Sequence, residues 1–109
     1  MSRERVASTS DVPAGEVRVV DCAGRSLALS NIDGTYYAID NRCTHDNGPL
    51  GEGTLRNGRI LCPRHGAAFD AKTGRVLSLP AVRSVAAYPV TVEGDGLYVD
   101  CPESKGATA

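Results

Sequence analysis

Residues 43–50 read CTHDNGPL, and residues 62–66 read CPRHG. The chain has two histidines and four cysteines in 109 residues. Both histidines fall beside a cysteine, as Cys43-x-His45 and Cys62-x-x-His65, with sixteen residues between the two motifs. Chance rarely places both histidines in this way, and shared metal ligation explains it directly. Thiolate together with imidazole suits zinc, copper or an iron–sulfur centre. Structural zinc sites commonly draw their ligands as a Cys pair and a His pair. Here each motif supplies one ligand of each kind. Two loops facing each other would gather both thiolates on one side and both imidazoles on the other. That division suits a binuclear centre, with two sulfurs on one metal ion and two nitrogens on the other. Two alternatives stand beside it: a structural zinc module, and core histidines with buried cysteines and no metal.

The segments around the motifs read as strands. GEVRVVDC (15–22) alternates apolar and polar residues, as a half-buried strand does. CAGR interrupts it, and SLALSNI (26–32) resumes. Asp33-Gly34 marks a hairpin, with TYYAID (35–40) as the return strand. Asn57-Gly58 marks a second hairpin between Leu55 and the pair Ile60–Leu61. EGDG (93–96) joins YPVTV (88–92) to LYVD (97–100). RVAST (5–9) reads as an opening strand and DVPAG (11–15) as its turn. No segment keeps helical periodicity over about ten residues. Turns this regular predict an all-β fold, a sandwich or small barrel. One domain is expected over 1–101, with the polar tail PESKGATA (102–109) frayed.

A net charge of -1 opposes nucleic-acid binding. No stretch approaches the roughly 20 apolar residues of a membrane span. The opening MSRERVASTS is charged with no apolar run after it, so no secretory leader is expected and the cytoplasm is. Cys22 and Cys101, each at a strand end, could pair if neighbouring, but lasting disulfides are rare there, so partly buried thiols are expected. Of Tyr36, Tyr37, Tyr88 and Tyr98, all in strand patterns, at least half are expected to pack in the core.

The two motifs, followed by FDAKTGRVLSLP (69–80), resemble a Rieske-type ferredoxin. The likeness is strongest to the small ferredoxins that serve bacterial ring-hydroxylating oxygenases, and it runs over about residues 4 to 100. It implies the Rieske fold: stacked antiparallel sheets with a small cluster-binding subdomain. It also implies one [2Fe–2S] cluster per chain. Cys43 and Cys62 would bind the inner iron, and His45 and His65 the outer iron through Nδ1. The exposed imidazole edge would be the electron's way out. The implied partners are an NAD(P)H-dependent flavoprotein reductase and a terminal Rieske oxygenase, and no catalytic residue is expected in the carrier itself. The small Rieske-like subunit of an assimilatory nitrite reductase is the alternative.

Around the ligands, Gly48, Gly51, Gly53 and Gly66 are expected to turn the backbone tightly and bring N–H groups towards sulfur, with plain turn formation the alternative, above all for Gly51 and Gly53. Pro80 resembles the proline of a third, covering loop. Arg42, Asp46, Glu52 and Arg64 give a mixed charge that either steers a partner or is simply solvated. Rieske proteins of cytochrome bc complexes carry an extra cysteine in each loop, where this chain has Gly48 and Arg64. They also place a serine and a tyrosine where this chain has Ala67 and Phe69. Without those hydroxyl donors, the expected potential lies near the roughly -150 mV end of the Rieske range.

Overall fold

The structure, a computed structural model, describes residues 2–41, 50–62, 67–77 and 84–101, with backbone alone for Ser2 and Cys101. These residues form β1 (Ser2–Ser8), β2 (Val17–Cys22), β3 (Arg25–Ile32), β4 (Thr35–Asp40), β5 (Thr54–Arg56), β6 (Arg59–Leu61), β7 (Ala68–Asp70), β8 (Ala87–Tyr88), β9 (Val90–Glu93) and β10 (Gly96–Cys101). Short 3₁₀ turns cover Thr9–Asp11 and Leu50–Glu52. No α-helix occurs among the described residues, as the missing helical periodicity predicts.

Three antiparallel sheets result, in the orders β1-β10-β9, β2-β3-β4-β8 and β5-β6-β7. Tight turns set their registers. Ala23-Gly24, Asp33-Gly34 and Asn57-Gly58 each place two successive residues at positive φ, the mirror-image turn that matches strand twist. Ala23, at φ 53°, carries a cost of about 1 kcal/mol that asparagine or glycine would largely avoid.

The four-stranded sheet lies between the other two, so β3 is buried without a break from Leu27 to Asn31. Ala28 and Ile39 join Leu50, Ile60 and Phe69 in one apolar cluster. Leu27, Leu29 and Ala38 join Val12, Leu97 and Val99 in the other. Burying each large apolar side chain contributes about 1.5–3 kcal/mol.

Ser30 and Asn31 are the buried polar residues of this strand, and Asn31 is fully bonded. Its Nδ2 donates to Val12 O at 2.7 Å, and its Oδ1 accepts from Gly34 N–H at 2.8 Å. Its backbone N–H donates to Glu16 O at 3.0 Å, and its carbonyl accepts from Gly15 N–H at 2.8 Å. Asn31→Ala strips the partner from a buried carbonyl and is expected to lower stability by about 2 kcal/mol. Urea unfolding checks it: the midpoint should fall while the slope stays constant.

Two expectations are corrected. The run 88–92 is not one strand. Tyr88 pairs with Ala38 in the middle sheet, whereas Val90 pairs with Val99 in the β1-β10-β9 sheet. Pro89, with no N–H to donate, marks the crossing between sheets. Cys22 is not a thiol but is disulfide-bonded, and it sits fully buried with its Sγ 3.5 Å from Val99 O. The side chain of Cys101, the partner weighed from the sequence, lies outside the described residues, as does the tail 102–109.

Candidate metal centre

Of the four sequence-derived ligands, Cys62 is described; Cys43, His45 and His65 lie outside the described residues. Cys62 follows β6 directly. Register Leu61↔Ala68 is extended by one more bond, from Cys62 N–H to Ala67 O at 2.7 Å. That bond closes the chain across residues 63–66. The Cys62 side chain is buried, 3% exposed, and packs in the same apolar cluster as Leu50, Ala67 and Phe69. Ala67 and Phe69 are themselves fully buried.

The described flanks of the two motifs come together at one end of the small sheet. Beyond 42–49 the chain makes the Leu50–Glu52 turn, closed by Gly53 N–H to Leu50 O at 3.0 Å. Gly53 then lies against the Leu61 carbonyl so closely that a Cβ there would strike it. The strand that leads to Cys62 is thus laid along the chain leaving the Cys43–His45 motif. The flanks of 78–83, which carries Pro80, join the same end. Leu77 N–H donates to Ala68 O at 2.8 Å, and Val76 N–H donates to Ser84 Oγ at 3.0 Å.

Gly51 and Gly53 follow the plainer of their two expected roles, that of turn residues. Gly51 donates its N–H to Asn41 Oδ1 at 2.5 Å, and Gly53 donates to Leu50 O. Neither lies at positive φ. Both are glycine because neighbours approach closely; a Cβ on Gly51 would stand 2.5 Å from Val19 Cγ2. Gly48, Gly66, Pro80, Arg42, Asp46 and Arg64 lie outside the described residues, and Glu52 is exposed.

Sequence reasoning passed over Asp40 and Asn41, which precede the first motif by one intervening residue, Arg42. Asp40 N–H donates to Ala86 O at 3.0 Å, and its Oδ2 accepts from Ala86 N–H at 3.3 Å. Its Oδ1 accepts from the Tyr88 hydroxyl at 2.7 Å. A strand that ends on two adjacent polar residues, two positions before a ligand, was the available signal.

Tyr88 is therefore half-buried and hydrogen-bonded rather than simply packed. Burial and then the Asp40 carboxylate push its phenol from 10.0 up to about 12, against a smaller opposing effect of Arg25. The raised folded-state value means that this contribution to stability is complete below pH 10.0 and is lost as pH rises through about 12. Wild-type unfolding free energy should therefore fall more steeply than that of Tyr88→Phe across this alkaline window. Denaturant titrations at stepped pH, with phenolate absorbance followed in parallel, measure the difference.

Comparison with known proteins points the same way. A family model described as the Rieske [2Fe-2S] domain matches residues 2–89. The 3-phenylpropionate/cinnamic acid dioxygenase ferredoxin subunit of Escherichia coli strain K12 is 41% identical over 106 residues, covering 96% of this chain and 99% of that one. Among solved structures, the ferredoxin of carbazole 1,9a-dioxygenase from Nocardioides aromaticivorans IC177 superposes with a TM-score of 0.86 at 32% identity, covering 91% of this chain and 97% of that one. A complex of reduced oxygenase and oxidized ferredoxin in carbazole 1,9a-dioxygenase gives a TM-score of 0.82 at 35% identity, covering 89% and 91%.

Proposed function

The chain belongs to the Rieske [2Fe-2S] domain family, and on that premise we propose that it is the ferredoxin of a multicomponent oxygenase system. It takes single electrons from an NAD(P)H-dependent flavoprotein reductase and hands them to a terminal Rieske oxygenase. The observation that carries this reading is end-to-end similarity to a dioxygenase ferredoxin subunit, 99% of which the chain covers. The complex of a similar ferredoxin with its oxygenase supports the terminal partner.

The donor set fits the cluster. Cys62 offers a buried sulfur at the base of a tightly closed segment. With Cys43 it would hold one iron, and His45 and His65 would hold the other. The cluster would supply reversible one-electron chemistry, and the chain the ligands and an apolar seat around Cys62. Ala67 and Phe69 add no hydroxyl donor, which keeps the potential near the roughly -150 mV end of the family's range. No helix among the described residues is long and apolar enough to cross a membrane, and the reading places the carrier in the cytoplasm.

Anaerobic purification followed by metal analysis and EPR after dithionite tests the proposal. Brown protein with a Rieske-type reduced signal and a midpoint below zero is expected. Colourless protein with stoichiometric zinc, or a midpoint above zero, would overturn it.

A further inference from the structure

Asn41 uses three of its polar groups to tie the chain on either side of the first ligand motif. Its Oδ1 accepts from Gly51 N–H at 2.5 Å, its Nδ2 donates to Ser26 Oγ at 3.0 Å, and its backbone N–H donates to Ser26 O at 3.0 Å. The amide orientation is fixed, because Gly51 N–H needs an acceptor and only Oδ1 provides one. Residues 41 and 51 bracket Cys43 and His45. One short bond across that span therefore sets where the motif begins and ends. Asp40, one residue earlier, binds Ala86 and Tyr88 just beyond the third segment, and Gly53, two residues after Gly51, abuts the strand leading to Cys62. The dipeptide thus lies where the flanks of all three segments converge.

We infer that Asn41 is a positioning residue for the [2Fe–2S] cluster, tying Gly51 to residue 41 on the two flanks of the Cys43–His45 motif while anchored to Ser26. The inference rests on the ferredoxin reading. Residue 41 is held to Ser26 by its backbone as well, but Gly51 is tied to it by a side chain alone, so that link depends on one amide. The aspartate variant should preserve it: one carboxylate oxygen accepts from Gly51, and the Ser26 hydroxyl turns to donate to the other. Alanine preserves neither contact.

The test compares Asn41→Ala, Asn41→Asp and Ser26→Ala with wild-type holoprotein. Readouts are the rate of anaerobic cluster bleaching by a chelator, the midpoint potential and the reduced-state EPR g values. Outer-shell partners of metal ligands typically change affinity 10–100-fold, so Asn41→Ala should bleach about ten times faster or more, with altered g values. Asn41→Asp should restore the wild-type rate. Ser26→Ala, which loses only the anchoring side-chain bond, should fall between, and it decides the matter if Asn41→Ala does not fold. The inference is overturned if Asn41→Ala, or failing it Ser26→Ala, bleaches at the wild-type rate with unchanged g values. It is also overturned if Asn41→Asp fails as badly as alanine. Wild-type protein that binds no iron would instead sink the ferredoxin reading.

Discussion

Cys62→Ala is expected to yield a colourless protein that holds no iron and unfolds at much lower denaturant concentration than wild type. Two readings of Cys62 differ sharply in size. If the residue only fills space among Leu50, Ala67 and Phe69, removing one sulfur atom costs about what a buried methylene does, roughly 0.8 kcal/mol. The protein would stay coloured. If Cys62 is a ligand, its loss removes the coupling between metal binding and folding. For structural zinc sites that coupling is about 10–16 kcal/mol, and even a fraction of it exceeds the packing loss. Iron content, visible absorbance and a urea curve on the same preparation separate the cases. A brown Cys62→Ala protein with a small stability loss would remove Cys62 from the ligand set. Cys22 provides the contrast: it lies in the other apolar cluster, so Cys22→Ser should leave the visible spectrum unchanged.

The sequence was most legible where a local rule has one cause. Asp33-Gly34 and Asn57-Gly58 demand positive φ at both positions, and the structure turns there. The consecutive apolar residues Leu27, Ala28 and Leu29 become intelligible once β3 is seen to be buried on both faces. Pro89 shows where locality fails. YPVTV has strand composition throughout, but a residue without an N–H falls where the chain passes from one sheet to another, and composition says nothing about which partner each half takes. Cys22 fails for a different reason: the expectation followed from the assumed compartment, whereas pairing follows from which strands meet. Asn41 was out of reach because its worth lies in a contact ten residues away, which no periodicity encodes.

Gly53→Ala tests the converse lesson, that a glycine can be required with no unusual φ. In isolation the change should help, since alanine narrows the unfolded ensemble by about 0.4–1 kcal/mol where the backbone tolerates it. Gly53 does not lie at positive φ, so backbone strain does not oppose the change. Packing does. A Cβ at Gly53 would strike the Leu61 carbonyl and stand 3.2 Å from the Leu50 carbonyl. Both are main-chain groups, and Leu61 is held in register with Thr54 and Ala68. No rotamer change relieves the contact, so the Leu50–Glu52 turn must lift away from β6 at a cost of about 3 kcal/mol. Gly51→Ala is the internal control. Its Cβ would crowd Val19 Cγ2, the tip of a side chain that is 42% exposed, with Asn41 Oδ1 at 3.1 Å and Val19 Cα at 3.3 Å as lesser contacts. A rotation of Val19 relieves most of that crowding, so Gly51→Ala should cost about 1 kcal/mol, at the low end of the overpacking range. Because Leu61 directly precedes Cys62, the displacement in Gly53→Ala should also reach the metal centre and hasten cluster loss to a chelator. Urea unfolding of the two variants side by side gives the ranking, and chelator bleaching of Gly53→Ala against wild type follows the centre. Equal behaviour would mean that β6 and the preceding turn yield together, and that the seat of Cys62 is softer than its backbone contacts imply.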